Sequence, residues 1–499
     1  MEVKFVKKPL QCLRPIYNQV QTQEQTQEVR LPDAYPDIGK VLGCWGQVLV
    51  RGKEWRSTAM GVNGGVMAWV MYAPEDGTQN RVVDVWIPFQ CRWDFPEASD
   101  DGSILVQSVL TNLDGRSISA RKIMVRAGID TYAQAMEQKK FEIAEPPELP
   151  EDVQLLRRSY PVDLPVEAGE KQVQLEETLT LPENQPAIEK IVHYKLAPSI
   201  AENKVLGNRL VFRGNATLHL MYLTEDGSVH HWDWEIPFSQ YTELDRDYGP
   251  NAVAWVIPVL TASELEMDEN KLLQMRGGIA AQYTIFDRNM LEMIEDAFSP
   301  RRMVTAQTES LQLPVLLDST AMELQAESQL NGEVDRIWGT TPFAEYPVLR
   351  MGENGLEIGM DGYFQTLYQD GEGQMMTDNN RFAVNMPFLT APENQAQLWP
   401  GSPSQPETMT NGEGMTLRSR YPVTVQMYSG QPIPMITELE LGEMQDTDPN
   451  RPSIILRRAD RDSLWELAKQ YGSTVAAIQE TNQLTQEPEM GKLLLIPIQ

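Results

Sequence analysis

The chain contains few cysteines and histidines for its length. Among its 499 residues are three cysteines and four histidines. Cys12, Cys44 and Cys91 all lie in the first third of the chain and lack CxxC spacing. Such an odd and sparse set argues against both a disulfide framework and a zinc site. We therefore expect these thiols to be reduced.

Basic residues are scarce relative to acidic ones. The 42 Lys and Arg residues face 71 Asp and Glu residues, so the formal net charge is −29. Binding to a phosphate backbone requires a basic surface, so we expect neither nucleic acid nor an anionic membrane to be the main partner. The acidic surface either keeps the protein soluble through self-repulsion or selects a basic partner.

Long apolar segments are also missing. No run approaches the roughly 18 residues that a membrane-spanning helix needs, so we expect no membrane insertion. The first residues, MEVKFVKKPLQCL, include lysines but lack the apolar segment of about 7 residues that a secretory signal requires. We therefore expect the protein to remain in the compartment where it is made.

Motifs for catalysis are absent from the sequence. We find no GxSxG, no phosphate-binding loop and no HExxH. His231, Asp233 and Glu235 share one face of a predicted strand and could in principle bind a metal, but the solvated outer face of a strand is the favoured interpretation. We therefore predict that the protein is not an enzyme and needs no cofactor or metal.

The sequence repeats with a period of about 150 residues. LPDAYPDIGKVL begins at Leu31 and LPENQPAIEKIV begins at Leu181. MYAPEDG and MYLTEDG end at Gly77 and Gly227, again 227 − 77 = 150 residues apart. A third version, TLYQDGEG, contains Tyr368. This period is the size of a domain and exceeds the 20–50 residues of a solenoid unit, so it indicates tandem duplication.

Each repeat has the pattern of a β-hairpin. In the second repeat, Leu218, Leu220 and Tyr222 alternate with polar residues, and Trp232 and Trp234 alternate with charged residues on the return strand. An Asp-Gly pair between the strands favours a tight turn. These pairs are Asp76-Gly77, Asp226-Gly227 and Asp370-Gly371. The proline that follows in each copy is expected to end strand pairing. These prolines are Pro88, Pro237 and Pro387.

The predicted fold class is mainly β, with three tandem β-sandwich-like domains followed by a small β-α-α-β domain. The predicted domains span residues 1–145, 152–300, 301–442 and 453–499. Residues 142–152 read as a stiff exposed spacer and residues 389–415 as a surface loop. The polar segment 19–28 permits either a disordered tail or an edge strand.

The C-terminal segment predicts two short helices. Ser463 and Glu466 form a capping box before a helical apolar pattern, and Gly472 is expected to end that helix. Ser473 or Thr474 is expected to cap the second helix. Short apolar strands flank the pair, which gives the order β-α-α-β.

This segment resembles the LysM domain. The family motif matches in RDSLW, YG, NQL and IP, within a stretch of about 47 residues. The resemblance implies binding to N-acetylglucosamine glycans through the loop before the first helix and the loop after the second. Trp465 either packs in the core or contacts a ligand. The residues implied for partner or glycan binding are Arg457, Arg458, Arg461, Asp462, Ser463, Leu464, Trp465, Asn482, Leu484 and Thr485.

Arg461 departs from the LysM pattern, which usually has glycine there. A large charged side chain at the rim shifts the expected ligand from a sugar toward a protein. Arg457, Arg458 and Arg461 lie close together in the sequence. We hypothesise that they contact an acidic protein partner, although a solvated patch paired with local aspartates is an alternative.

The repeats resemble the SPOCS domain through the pattern MY…EDG…IPF. Tandem SPOCS domains before a terminal LysM domain are typical of spore-coat morphogenetic proteins of endospore-forming bacteria. The resemblance implies a non-enzymatic scaffold in the mother-cell cytoplasm at the forespore surface. Its partner would be a coat-scaffold ATPase or another spore-coat protein. The alternative is a protein that binds peptidoglycan glycan.

Overall fold

The computed structural model describes residues 1–269, 271–330, 334–353, 355–411, 414–445 and 451–498. Across these ranges the chain is mainly β, and its helices are the two short ones near the C-terminus. The predicted mainly-β class is therefore confirmed.

The first repeat consists of two three-stranded antiparallel sheets with a shared apolar core. Its elements are β1 (Glu2–Lys4), β2 (Val6–Arg30), β3 (Ile38–Arg56), β4 (Ala59–Pro74), β5 (Arg81–Asp94), β6 (Ser103–Ser119) and β7 (Lys122–Glu145). The sheet orders are β2-β7-β6 and β3-β4-β5, while β1 joins a different sheet. Residues 19–28 belong to β2 at the edge of its sheet, so of the two interpretations the edge strand is the one observed.

The second repeat has one three-stranded and one two-stranded antiparallel sheet. Its elements are β8 (Gln154–Leu179), β9 (Lys190–Leu223), β10 (Val229–Tyr248), β11 (Val253–Met267) and β12 (Leu273–Phe298). Strands β11, β12 and β8 form one sheet, and β10 pairs with β9. Leu218, Leu220 and Tyr222 are buried, as the alternation predicts.

The third segment contains shorter strands. They are β13 (Val304–Leu311), β14 (Leu316–Leu330), β15 (Val334–Ala344), β16 (Val348–Gly352), β17 (Gly355–Asp370), β18 (Met375–Pro387), β19 (Gln395–Pro400), β20 (Glu407–Asn411), β21 (Gly414–Tyr428) and β22 (Ile433–Leu441). Strand β1 pairs with β22, so the start of the chain contributes to a sheet of this segment.

The prediction of a surface loop over residues 389–415 is wrong in two places. Strands β19 and β20 both lie in this range and pair with β21. Leu398 and Trp399 are buried, and the Trp399 ring packs edge-on against the rings of Tyr132 and Trp255, with 4.7 and 4.6 Å between centroids. Residues 412–413 lie outside the described residues.

Two of the three marker prolines do not end strand pairing. Pro88 is aligned with Gly65 inside β5, and Pro237 is aligned with Asn215 inside β10. Both strands lie at a sheet edge, where alternate N–H groups have no partner within the sheet, so proline is tolerated there. In the third segment Pro387 is the last residue of β18, as predicted.

The tight turns use the predicted glycines in two repeats. Gly77 and Gly227 have φ values of 71° and 80°, which suit glycine because it has no Cβ. In the third segment the positive φ of 81° belongs to Gly373, where Gly371 was predicted. The turn itself has the same hydrogen bonds as in the second repeat, because the Asp370 N–H donates to the Gln374 carbonyl as the Thr224 N–H donates to the Ser228 carbonyl, both at 3.0 Å. Gly373 therefore occupies the position of Gly227, and the Asp370-Gly371 pair lies two residues earlier in the turn.

Residues 142–152 are more ordered and more buried than a spacer. Strand β7 continues to Glu145, and Ala144 is buried. Asp152 forms an ion pair with Arg302 at 2.6 Å, and both side chains are largely buried. A contact with a residue that is distant in sequence therefore outweighs the proline-rich composition here.

The C-terminal module, defined as residues 453–498, has the predicted β-α-α-β order. Its elements are β23 (Ile454–Arg458), α1 (Leu464–Tyr471), α2 (Val475–Asn482) and β24 (Leu493–Pro497). The capping box of Ser463 and Glu466 is present, and Gly472 ends α1 with a φ of 63°. Thr474 caps α2. The predicted linker 442–453 includes residues 446–450, which lie outside the described residues.

Candidate binding surfaces of the C-terminal module

Of the three arginines near the first loop, Arg457 has partners within the module and the other two are exposed. Arg457 faces the helices, where its guanidinium donates to Asp462 at 2.9 Å and to the Tyr471 hydroxyl at 2.8 Å. Arg458 is the next residue of β23, so it points to the opposite face, and it is exposed. Arg461 is also exposed. Arg457 and Asp462 therefore serve the module's internal structure, while Arg458 and Arg461 face solvent.

The two loops that the LysM resemblance implies for ligand contact are joined to each other. Glu487, in the loop after α2, accepts a hydrogen bond at 2.9 Å from the N–H of Leu464 at the start of α1. Ser463 and Glu466 satisfy each other's backbone N–H groups, and the Leu464 side chain is buried. Sequence reasoning missed Glu487, because its partner lies 23 residues away on another loop.

Asn482 links α2 to strand β24 through side-chain hydrogen bonds. Its side-chain amide donates to the carbonyls of Ile478 at 2.8 Å and Leu495 at 2.6 Å, and its oxygen accepts from the Leu495 N–H at 2.8 Å. Leu484 packs against the module core, whereas Thr485 is exposed. Of these three predicted site residues, Thr485 alone presents its side chain to solvent.

Trp465 connects the module to the second repeat. Its ring packs edge-on against Phe298, with 4.7 Å between ring centroids, and its indole N–H donates to Asp296 at 2.8 Å. Lys469 forms an ion pair with the same carboxylate at 2.7 Å. Burial opposes ionisation of Asp296, but the Lys469 ammonium and the Trp465 N–H outweigh it and lower the pKa of Asp296. Trp465 therefore makes an intramolecular contact in this structure.

The outer face of the module's two-stranded sheet is apolar and exposed. The helices cover only one face of this sheet, so alternate residues of β23 and β24 point away from them. Leu456 lies directly opposite Leu495, and Arg458 lies opposite Leu493. The apolar residues of this outer sheet face, with their exposed fractions, are Ile454 (51%), Leu456 (63%), Leu493 (55%) and Leu495 (42%). The alternation in IILRR and LLLIP carries the signal that could have revealed this face.

The histidine-containing strand of the second repeat does not form a metal centre in the described part of the chain. His231 is hydrogen-bonded through its ring to the Trp338 carbonyl, and Asp233 lies 3.0 Å from His219. Among the residues described, no group of three or more metal-binding side chains occurs. In the same ranges, neither helix has the length and apolar character needed to cross a membrane.

Comparison with known protein families finds a match within the second repeat. The family model described as SipL, SPOCS domain matches residues 187–257, from just before β9 to the start of β11. The second repeat is similar to a SPOCS domain. This similarity indicates a role related to sporulation. No curated protein and no solved structure matches the chain.

Proposed function

We propose that the chain is a non-enzymatic scaffold that docks the spore-coat layer to the forespore surface in the mother-cell cytoplasm. The SPOCS similarity of the second repeat and the equivalent repeat before it support a coat-related role. We extend the SPOCS assignment to the first and third repeats. The C-terminal module, which we interpret as a LysM domain, would supply the docking contact.

The outer sheet face of the module carries this proposal. Four neighbouring large apolar side chains face solvent there, and contiguous exposed apolar patches mark protein interaction sites. Exposed Arg458 borders the patch and favours an acidic surface on the partner. The occupant that we propose is the coat-scaffold ATPase or another spore-coat protein.

Peptidoglycan binding is the less favoured alternative. The hydrogen bond between Glu487 and the Leu464 N–H ties together the two loops that would contact a glycan. Asn482 and Trp465 are also engaged in internal hydrogen bonds. These contacts leave little of the motif available to a sugar.

A co-precipitation experiment with the coat-scaffold ATPase tests the docking surface. The double variant Leu456→Ser/Leu495→Ser removes two central side chains of the outer sheet face. Truncating a central interface anchor costs roughly 2 kcal/mol or more, so we expect at least about tenfold weaker capture. The matched control is Leu317→Ser/Leu389→Ser, which changes two exposed leucines elsewhere on the chain.

Equal capture by the double variant and the wild type would contradict the assigned surface. Sedimentation with purified peptidoglycan separates the alternative function. If the full chain sediments with peptidoglycan and a chain without residues 453–499 does not, the result would favour glycan binding over the scaffold proposal.

A further inference from the structure

The outer edge of β24, on the side away from β23, has no free backbone groups to offer a further strand at its centre. The Leu495 N–H donates to the side-chain oxygen of Asn482 at 2.8 Å, and the Leu495 carbonyl accepts from the Asn482 amide at 2.6 Å. Two residues farther along, Pro497 has no N–H. Helix α2 and Pro497 therefore close this edge of the module's two-stranded sheet.

The outer edge of β23 is open. Leu456 lies directly opposite Leu495, and in an antiparallel pair the backbone groups of two opposed residues point either toward each other or both away. Those of Leu495 point away, so those of Leu456 also face outward, as do those of Ile454 and Arg458 two residues to either side. Within the described ranges, these outward N–H and carbonyl groups have no hydrogen-bond partner.

The open edge runs along the outer sheet face of the module. Ile454 and Leu456 have outward backbone groups and also side chains on that apolar face, where Leu456 is 63% exposed. A peptide that adds a strand to a sheet gains affinity from main-chain hydrogen bonds and specificity from alternate side chains. A strand added to β23 would satisfy the free backbone groups and widen the apolar face at the same time.

The charge near the end of β23 favours an acidic residue in the added strand. Arg458 and Arg461 are exposed, and neither forms an ion pair with another residue in the described part of the chain. A second copy of the chain is a poorer match. Antiparallel pairing of two β23 edges centred on Leu456 would place Arg458 opposite Ile454, and the formal charge of −29 on each copy opposes self-association.

We propose that the partner docks on the module by adding an extended strand to the open edge of β23. The added strand carries apolar residues at alternate positions, which continue the outer sheet face, and an acidic residue that pairs with Arg458. This inference rests on the proposed docking function and specifies how the partner is held at that site.

Two substitutions of Leu456 separate strand addition from simple contact with the apolar face. Alanine and proline both shorten the side chain, but only proline removes the outward N–H and places a ring on the edge. Pairing with β24 does not use that N–H, so the module should keep its fold, which hydrogen exchange of α1 and α2 verifies. In co-precipitation with the coat-scaffold ATPase, capture of Leu456→Pro should be at least about tenfold weaker than capture of Leu456→Ala.

Hydrogen exchange of the wild-type chain, resolved to single residues, tests the inference without a variant. In the free chain, the amides of Ile455 and Arg457 bond to β24 and exchange slowly, whereas the outward amide of Leu456 exchanges fast. In the complex with the coat-scaffold ATPase, exchange of the Leu456 amide should slow to the rates of its two neighbours.

The outcomes distinguish this inference from the docking function. Equal capture of folded Leu456→Pro and Leu456→Ala, or an unprotected Leu456 amide in the complex, overturns strand addition and leaves the docking function standing. Failure of the wild-type chain to capture the ATPase overturns both. A dimer of the free wild-type chain that Leu456→Pro abolishes, measured by analytical ultracentrifugation, would identify a second copy as the occupant and overturn the assigned partner strand.

Discussion

At the scale of single residues, two tyrosines one repeat apart make the same hydrogen bond. The Tyr72 hydroxyl donates to the Pro36 carbonyl at 3.0 Å, and the Tyr222 hydroxyl donates to the Pro186 carbonyl at 3.2 Å. Both rings are fully buried. In the first repeat, the segment LPDAYPDIGKVL is therefore in contact with MYAPEDG. In the second repeat, LPENQPAIEKIV is in contact with MYLTEDG in the same way. This contact gives a physical reason for their shared spacing.

Replacing Tyr222 with phenylalanine should lower the thermal unfolding midpoint. The change removes the donor and leaves the Pro186 carbonyl without this partner, which costs about 1 kcal/mol. Tyr72→Phe should have a similar effect in the first repeat. Tyr241→Phe is the matched control, because its ring is 53% exposed. A midpoint unchanged in both Tyr72→Phe and Tyr222→Phe would show that these hydrogen bonds contribute nothing measurable.

At the scale of elements, the first two repeats also share a β-bulge. The register shifts at Thr111 in β6 and at Thr261 in β11, and each bulge lies beside a glycine of the central strand. A Cβ added at Gly128 would lie 2.6 Å from the Thr111 hydroxyl, and one at Gly278 would lie 2.7 Å from the Thr261 hydroxyl. Gly128 and Gly278 therefore leave room for the bulged threonines, which a larger residue would clash with.

Gly128→Ala should destabilise the protein by about 1–3 kcal/mol, because the new methyl group overpacks the bulge. Urea unfolding measures the change. Thr111→Ala in the same chain should recover part of the loss by removing the clashing hydroxyl. Gly61→Ala is the control, since a Cβ there has its nearest neighbour at 3.8 Å. A Gly128→Ala variant as stable as Gly61→Ala would contradict the steric explanation.

Sequence patterns predict those elements that local chemistry determines. The capping box at Ser463 and the turn at Gly77 need only neighbouring residues, so both could be read directly. Strand β19 could not, because it pairs with β21, which follows later in the chain. The position of Pro88 inside a strand likewise follows from the edge location of β5, which is a property of the whole sheet.

At the scale of the whole molecule, the candidate site shows the same limit. The sequence predicts the helices and loops of the module, but it does not predict which residues of the other repeats contact them. Trp465 contacts Asp296, which is 169 residues earlier in the chain. Asp296 also accepts from Lys469, so α1 is held against the end of β12 by one shared carboxylate. Such a contact between distant segments leaves no periodic signal in the sequence.

The contact between Asp296 and Lys469 should hold helix α1 of the module against the end of β12 near neutral pH. Lys469→Glu should loosen the contact, because two carboxylates would then face each other. Hydrogen exchange of the backbone around Asp296 and of α1 should rise, and Asp296→Lys in the same chain should restore protection. Lys492→Glu, at an exposed position elsewhere in the module, controls for net charge. Unchanged exchange in Lys469→Glu would show that this ion pair does not hold the module against the second repeat.

The pH dependence of this contact has a defined sign. Because the pKa of Asp296 is lowered in the folded state, its contribution is present above the unfolded value of about 3.9 and is lost as pH falls through the lowered value. The stability difference between wild type and Asp296→Asn should therefore stay constant from pH 7 to pH 5, as measured by urea unfolding. A difference that already declines between these values would mean that the carboxylate titrates higher, and that Lys469 and Trp465 do not outweigh its burial.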